Sequence, residues 1–370
     1  MGDGNINYSP GEDKVCTLIW DKSVLKLIDQ RKLPFREEYV ICNTYRKVAD
    51  AIRNMTVRGA PAIGVVAGYG VALASMEFKG SSKNEFISYI RDSIKMLSKT
   101  RPTAVNLFWA INKMEKVLDV SKNLPLAEIK AKLIEEAESI EQQDLDTNLK
   151  IGENGKKIFD NSKKKIKVLT HCNAGALATS GYGTALGVIR SLAGDGKIEK
   201  VIVDETRPYL QGARLTSWEL YKEKIPFYII TDNMAGYFMS SGEVDAVIVG
   251  ADRITLNGDT ANKIGTLGLS IMAKYYHIPF YIAAPVSTID FSMKSGRGIP
   301  IEQRGEGEVR EIMGTEIVPE YMHVKNPAFD VTPGSNITAI ITEEGVIYSP
   351  FRKNIGKIVS RANNNKEVGV

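Results

Sequence analysis

Cysteine and histidine are scarce in this chain. Its 370 residues include three cysteines, Cys16, Cys42 and Cys172, and three histidines, His171, His277 and His323. Three widely spaced cysteines do not make a disulfide framework, which points to a reducing compartment. There is no Cys-x-x-Cys pair and the histidines are scattered, so no metal-ligand set can be read here. Charge of one sign is also lacking, since the formal net charge is only +4. Such a mild, scattered excess is no electrostatic footprint for nucleic acid. Its densest cluster, Lys163-Lys164-Lys165, stands just before a predicted strand, where charges blunt a sheet edge. No apolar run reaches the roughly 18 residues of a membrane span, and no signal-peptide pattern opens the chain. A Gly-x-Gly-x-x-Gly fingerprint after the first strand of the second half is missing, which leaves a dinucleotide cofactor little support. These absences lead us to expect a cytoplasmic protein with no nucleic-acid or membrane partner.

What is present is an ordinary globular composition, 43% hydrophobic and 25% charged, over a length that suits two domains. Short runs at Leu18-Ile19-Trp20, Leu25 to Ile28 and Tyr39-Val40-Ile41, split by polar turns and Pro34, predict a small antiparallel sheet. From Tyr45 to about Asp160 the periodicity is helical. Ile129, Leu133, Ala137 and Ile140 recur at spacings of three and four, which predicts one long amphipathic helix linking the two halves. We therefore expect a domain of small sheet and helices at residues 1–150 and a second domain at 151–370.

In the second half, apolar strands alternate with helical patterns. Strands are predicted at Ile166 to Thr170, Ile198 to Val203, Phe227 to Ile230, Val244 to Val249 and Phe280 to Ala283. Helices are predicted from about Gly175 to Ala193, around Trp218 and Leu220, from Asn233 to Ser241, and from Asn262 to Tyr276. Continuous apolar strands joined through helices mean a parallel sheet covered on both faces. The expected fold class is α/β, with a Rossmann-like doubly wound parallel sheet in the C-terminal domain.

Four of these strands end in reactive polar clusters: Thr170-His171-Cys172-Asn173, Asp204-Glu205-Thr206-Arg207, Thr231-Asp232-Asn233 and Asp252-Arg253. A purely structural sheet has no need of them. In open α/β sheets ligands bind outside the carboxyl ends of the strands, so these loops should line one crevice. Cys172 precedes a predicted helix, whose macrodipole would favour its thiolate. His171 is its neighbour, but successive strand side chains point to opposite faces, so His171 is expected to play a supporting part. Asp252 closes the most apolar strand of the chain, where burial would raise its pKa and suit it to general-acid work. Asn262 and Lys263 are expected in the first turn of a helix, an anion-binding arrangement. Arg58 before Gly59-Ala60 and Arg101 each stand at the start of a predicted helix and would add a phosphate cradle.

The segments Arg58-Gly59-Ala60-Pro61-Ala62-Ile63-Gly64, Arg101-Pro102-Thr103-Ala104-Val105-Asn106-Leu107 and Thr170-His171-Cys172-Asn173-Ala174-Gly175 occur in that order. They are followed by Asp204-Glu205-Thr206-Arg207-Pro208, Gln211-Gly212-Ala213-Arg214-Leu215-Thr216 and Gly250-Ala251-Asp252-Arg253-Ile254. Six motifs in this order closely resemble the methylthioribose-1-phosphate isomerases. The likeness runs from about Trp20 to Phe351. The larger family also holds ribose-1,5-bisphosphate isomerases and regulatory subunits of translation initiation factor 2B.

The resemblance implies an aldose-ketose isomerase of methionine salvage, converting 5-methylthioribose 1-phosphate to 5-methylthioribulose 1-phosphate. It assigns Cys172 and Asp252 as the catalytic pair. It assigns Arg58, Gly59, Ala60, Arg101, Gln211, Asn262 and Lys263 as substrate contacts, and it implies a homodimer. The reaction, by protonation of the ring oxygen and a shift of hydrogen from C2 to C1, calls for no metal or redox cofactor. Two alternatives belong to the same family: a ribose-1,5-bisphosphate isomerase and a non-catalytic initiation-factor-2B-like subunit. The stretch Leu18-Ile19-Trp20 to Asp29-Gln30-Arg31-Lys32-Leu33-Pro34 resembles an extension typical of the methylthioribose-1-phosphate isomerases. Phe108 and Trp109, close in sequence to Arg101, are candidates to contact the methylthio group.

Overall fold

The computed structural model describes residues 15–101 and 105–358. The chain opens with strands β1 (Leu18–Trp20), β2 (Leu25–Ile28) and β3 (Tyr39–Cys42). They pair antiparallel in the expected small sheet, with Leu18 opposite Leu27 and Leu25 opposite Cys42. Five helices follow, α1 (Tyr45–Arg53), α2 (Ala60–Glu77), α3 (Lys83–Ser98), α4 (Val105–Ser121) and α5 (Leu126–Lys156). The Thr44 hydroxyl caps α1 by accepting from the Lys47 amide at 3.2 Å. Helix α2 is long and apolar enough to cross a membrane by length and composition, against expectation. Its residues from Ala62 to Ser75 are instead buried, 78% of the helix lying inside the protein. An all-round apolar helix is what the centre of a helical core requires. Helix α5 carries the predicted stripe, with Ile129, Leu133, Ala137 and Ile140 all buried.

The second half builds β4 (Ile166–Thr170), α6 (Ala185–Gly194), β5 (Ile198–Asp204), α7 (Ser217–Lys222), β6 (Phe227–Ile230), α8 (Ala235–Ser240) and β7 (Ala246–Val249). It continues with β8 (Arg253–Thr255), β9 (Thr260–Lys263), α9 (Thr266–Tyr275), β10 (Phe280–Ala283) and β11 (Ile289–Asp290). The last strands are β12 (Glu311–Ile312), β13 (Thr315–Glu316), β14 (Phe329–Thr332), β15 (Ala339–Thr342) and β16 (Gly345–Tyr348). The large sheet has the order β16-β15-β10-β7-β4-β5-β6. Its strands run parallel except β16, which returns antiparallel beside β15. Chain order runs outward in both directions from the β4–β7 pair, the doubly wound arrangement. Alternate residues feed two cores on opposite faces of the sheet: Val247 and Val249 in one, Ala246 and Ile248 in the other. The helical half has its own core, from Leu18 to Ile140.

Two expected helices are corrected. The helix predicted from Gly175 begins only at Ala185. Before it lies a loop with one 3-10 turn at Ala176–Ala178, and Tyr182 and Gly183 sit there in left-handed backbone (φ 66° and 81°), which no α-helix accommodates. The helix predicted from Asn262 begins at Thr266, and Asn262 and Lys263 lie instead on strand β9. The cause is the Asn257-Gly258 step, a hairpin signal with Gly258 at φ 85°, which folds β9 back against β8. These two strands join β11 and β14 in a second, four-stranded sheet that the sequence patterns did not reveal.

Candidate active site

Cys172 and Asp252 come from the ends of β4 and β7, the central pair where the chain changes direction. The Thr170 hydroxyl donates to the Ile248 carbonyl at 2.8 Å and ties these ends together. Cys172 has a left-handed backbone, φ 64°, uncommon for a residue with a Cβ. Two threonines hold it there. Its amide donates to Thr206 Oγ1 at 2.8 Å, and its carbonyl accepts from Thr216 Oγ1 at 2.6 Å. No α-helix starts beside Cys172, so the expected helix macrodipole is not what sets its surroundings.

His171 turns away from the sulfur, as the strand alternation requires. Its Nδ1 meets Asp204 Oδ2 at 2.9 Å and its Nε2 meets the Ile264 carbonyl at 2.9 Å, in a fully buried setting. Burial alone would lower the imidazole pKa, but the Asp204 carboxylate raises it above the usual histidine value. Burial in turn pushes Asp204 up to about 6. His171, Asp204 and Asp232 bring potential metal ligands within 4.8 Å of one another. Both imidazole nitrogens are already engaged, however, and the Asp232 oxygens accept the Thr206 and Arg207 amides at 2.8 and 2.7 Å. The group is better suited to bracing loops than to holding a cation.

One cavity of about 240 Å³ lies over the ends of β4 and β7. All nine residues singled out in the sequence line it: Cys172 and Asp252, then Arg58, Gly59, Ala60 and Arg101, then Gln211, Asn262 and Lys263. Gly59 starts α2 with φ 90°, and a Cβ there would lie 2.5 Å from the Ala178 Cα. Asn262 Nδ2 donates to Thr266 Oγ1 at 3.1 Å, and Lys263 Nζ donates to the Ala328 carbonyl at 3.1 Å while covering the Phe329 ring. Gln211 Oε1 is buried without a hydrogen-bond partner, and so is Arg58 Nε. Buried polar atoms of this kind are costly unless a ligand engages them.

Asn173, in one of the strand-end clusters expected at the crevice, also lines the cavity, and so do Glu302 and Arg304, which sequence reasoning did not assign to it. Glu302 lies 3.9 Å from Arg101, and Arg304 pairs with Glu308 at 2.6 Å. Both come from the long irregular segment after β11, which carries no periodicity that would orient them. Phe108 and Trp109 are exposed and do not line the cavity; its aromatic lining is Tyr209 and Phe329.

Five cationic side chains line the cavity with two carboxylates, Asp252 and Glu302. Arg253 and Arg304 are paired with Asp290 and Glu308 outside the lining, which leaves Arg58, Arg101 and Lys263 beside the two acids. That balance suits an anion such as phosphate. Burial pushes the Asp252 carboxyl above its ordinary range, against the pull of Lys263, Arg58 and Arg101. Arg253 does not neutralise it, since that guanidinium turns to Asp290 at 3.3 Å. Burial lowers the Lys263 ammonium and the Arg58 guanidinium, and for both the first opposing influence is Cys172, which places the sulfur among these cations. The arrangement joins a carboxyl whose pKa is raised by burial to an anion cradle.

A family model described as the initiation factor 2 subunit family matches residues 56–349. The chain belongs to that family. Within it, the chain is 56% identical over 339 residues to the methylthioribose-1-phosphate isomerase of Caldicellulosiruptor saccharolyticus, covering 92% of this chain and 98% of that protein. It is also 56% identical over 347 residues to the enzyme of the same name from Thermotoga neapolitana, covering 94% and 98%. Among solved structures, 5-methylthioribose 1-phosphate isomerase from Pyrococcus horikoshii OT3 superposes with a TM-score of 0.90 at 44% identity, over 96% of this chain and 99% of that one. A structure described as subunit delta of translation initiation factor eIF-2B from A. fulgidus superposes at 0.85 with 43% identity, over 94% and 100%.

Proposed function

We propose that this protein is a methylthioribose-1-phosphate isomerase, converting the cyclic aldose 1-phosphate to the open-chain ketose 1-phosphate. The observation that carries the reading is the meeting of Asp252 and Cys172 inside a cation-rich cavity. High identity over nearly the full length of enzymes with that name supports it. Phosphate on the anomeric oxygen blocks the usual opening of the sugar ring. The ring opens when the ring oxygen takes a proton as its bond to C1 breaks, and Asp252 is the donor. C1 is left with oxocarbenium character and receives a hydrogen from C2. The C2 hydroxyl proton then returns to the acid and C2 becomes the carbonyl. C1 is reduced as C2 is oxidised, so the sequence balances within the substrate.

The hydrogen travels by one of two routes. It leaves C2 as a proton, carried by Cys172 or Asp252 through an enol-type intermediate, or it passes directly as hydride while Cys172 steadies the developing charge. Solvent deuterium at C1 of the product marks the first route. Arg58, Arg101 and Lys263 supply the charge that holds the phosphate, and Gln211 and Asn262 offer polar atoms to the sugar hydroxyls. A homodimer and a cytoplasmic setting accompany this reading, and sedimentation of the purified protein tests the dimer.

The deciding assay compares turnover of 5-methylthioribose 1-phosphate with that of ribose 1,5-bisphosphate. Preference for the first supports the proposal, and preference for the second replaces it. The likeness to the structure described as an eIF-2B subunit favours a second reading, a non-catalytic partner-binding protein. Lack of turnover on both sugars, with capture of initiation-factor subunits, would establish it.

A further inference from the structure

Glu219, on α7, is fully buried and every acceptor position of its carboxylate is used. Oε1 accepts from Asn173 Nδ2 at 2.8 Å and from the Leu177 amide at 3.2 Å. Oε2 accepts from the Ala176 amide at 2.8 Å and from Arg190 Nη2 at 2.7 Å. Arg190, itself buried, supplies the compensating charge and pairs as well with Glu223 at 2.7 Å. A buried carboxylate is tolerated only when paired and hydrogen-bonded in this manner.

The consequence falls on Asn173. Its Nδ2 lies between Glu219 Oε1 and, at 3.2 Å, Thr216 Oγ1. The Thr216 hydroxyl proton is already given to the Cys172 carbonyl, so both neighbours can only accept. The amide cannot flip, because its oxygen would then face two acceptors. Asn173 Oδ1 is therefore fixed toward Arg58, whose Nη2 donates to it and, at 3.1 Å, to the Asn173 carbonyl. This grips the guanidinium by one corner and leaves Nε, buried and unpartnered, for a ligand. The packing leaves no slack: a Cβ on Gly175 would lie 2.2 Å from Glu219 Oε2.

We infer that Glu219 is a positioning residue, which through Asn173 sets the Arg58 guanidinium for phosphate. This inference rests on the phosphate reading of the cavity. A carboxylate outside the cavity thereby governs affinity inside it.

The test is calorimetric titration of the purified full chain with inorganic phosphate, a readout independent of turnover. The series is wild type, Asn173→Ala, Glu219→Gln, Arg58→Ala, and Arg58→Ala combined with each of the other two. Asn173→Ala leaves Glu219 with three of its donors, so it keeps the test alive should Glu219→Gln fail to fold. Asn173→Ala and Glu219→Gln should each weaken phosphate binding about tenfold, the loss of a charge-assisted contact. Arg58→Ala should cost at least as much, and adding either change to it should cost less than about twofold more, the mark of residues acting through one another. With 5-methylthioribose 1-phosphate the single variants should raise KM more than they lower kcat. Unchanged phosphate binding in folded Asn173→Ala, losses that multiply in the double variants, or no phosphate binding by the wild type would each overturn the inference. A wild type that binds phosphate but does not isomerise the sugar overturns the proposed activity alone.

Discussion

Cys172 and Asp252 stand just beyond Thr170 and Val249, the last residues of the two central strands, and Thr170 is hydrogen-bonded to the strand that leads to Asp252. Their nearness follows from topology. At the β4–β7 pair the crossovers leave in opposite directions, which opens a crevice between the two loops. Cys172 and Asp252 both line that crevice, whereas the imidazole of His171, directly after β4, is turned to Asp204 and the Ile264 carbonyl. The fold brings together residues 80 positions apart without a dedicated contact between them.

The left-handed backbone of Cys172 separates stability from chemistry. Cys172→Gly should relieve the strained φ and remain within about 1 kcal/mol of the wild type in urea unfolding. Cys172→Ala keeps the strain and loses only the sulfur. Both should lose turnover by at least about a hundredfold, measured as ketose formation.

Gly59→Ala should fail for steric reasons. Its φ of 90° and a Cβ 2.5 Å from the Ala178 Cα force α2 away from the loop after β4. A loss of about 2–4 kcal/mol in unfolding free energy is expected, together with weaker phosphate binding. Because Arg58 precedes this glycine, calorimetry should register the shift even in molecules that remain folded.

His171 contributes stability that depends on pH. Its folded-state pKa is raised, so the contribution is fully present below the unfolded value of about 6.5 and is lost as pH rises through the raised value. The difference in stability between wild type and His171→Asn should accordingly shrink toward the alkaline side. Chemical denaturation across a pH series checks this, and a difference that grows with pH would contradict it.

Much of this site was legible because apolar strands announce themselves and the residues that interrupt them stand out. Cys172 and Asp252 stand out in that way, and Arg58 and Arg101 stand out as cations at the starts of predicted helices. Asn262 and Lys263 are expected at the cavity but on the wrong element, since the predicted helix from Asn262 to Tyr276 overlooks the Asn257-Gly258 hairpin signal that makes them a strand. Glu302 and Arg304 are not placed at the site by the sequence, because their segment has neither helical nor strand periodicity and only tertiary packing carries it over the cavity. Glu219 was hidden for a different reason. It lies on an ordinary-looking helix, and its importance comes from four donors brought to it by other parts of the chain.

The central claim is that Asp252 opens the sugar ring as a general acid. Burial raises its pKa, so the wild-type rate should hold above the ordinary carboxylate range and fall as pH rises through the raised value. Asp252→Asn removes the proton while keeping the shape, and should also stabilise the protein at alkaline pH, where the wild type holds a buried charge. The direct measurement is kcat for 5-methylthioribose 1-phosphate in this variant, with inorganic phosphate binding as a check on the site. We predict a loss of about a thousandfold with phosphate binding retained. Turnover within about tenfold of the wild type would contradict the account.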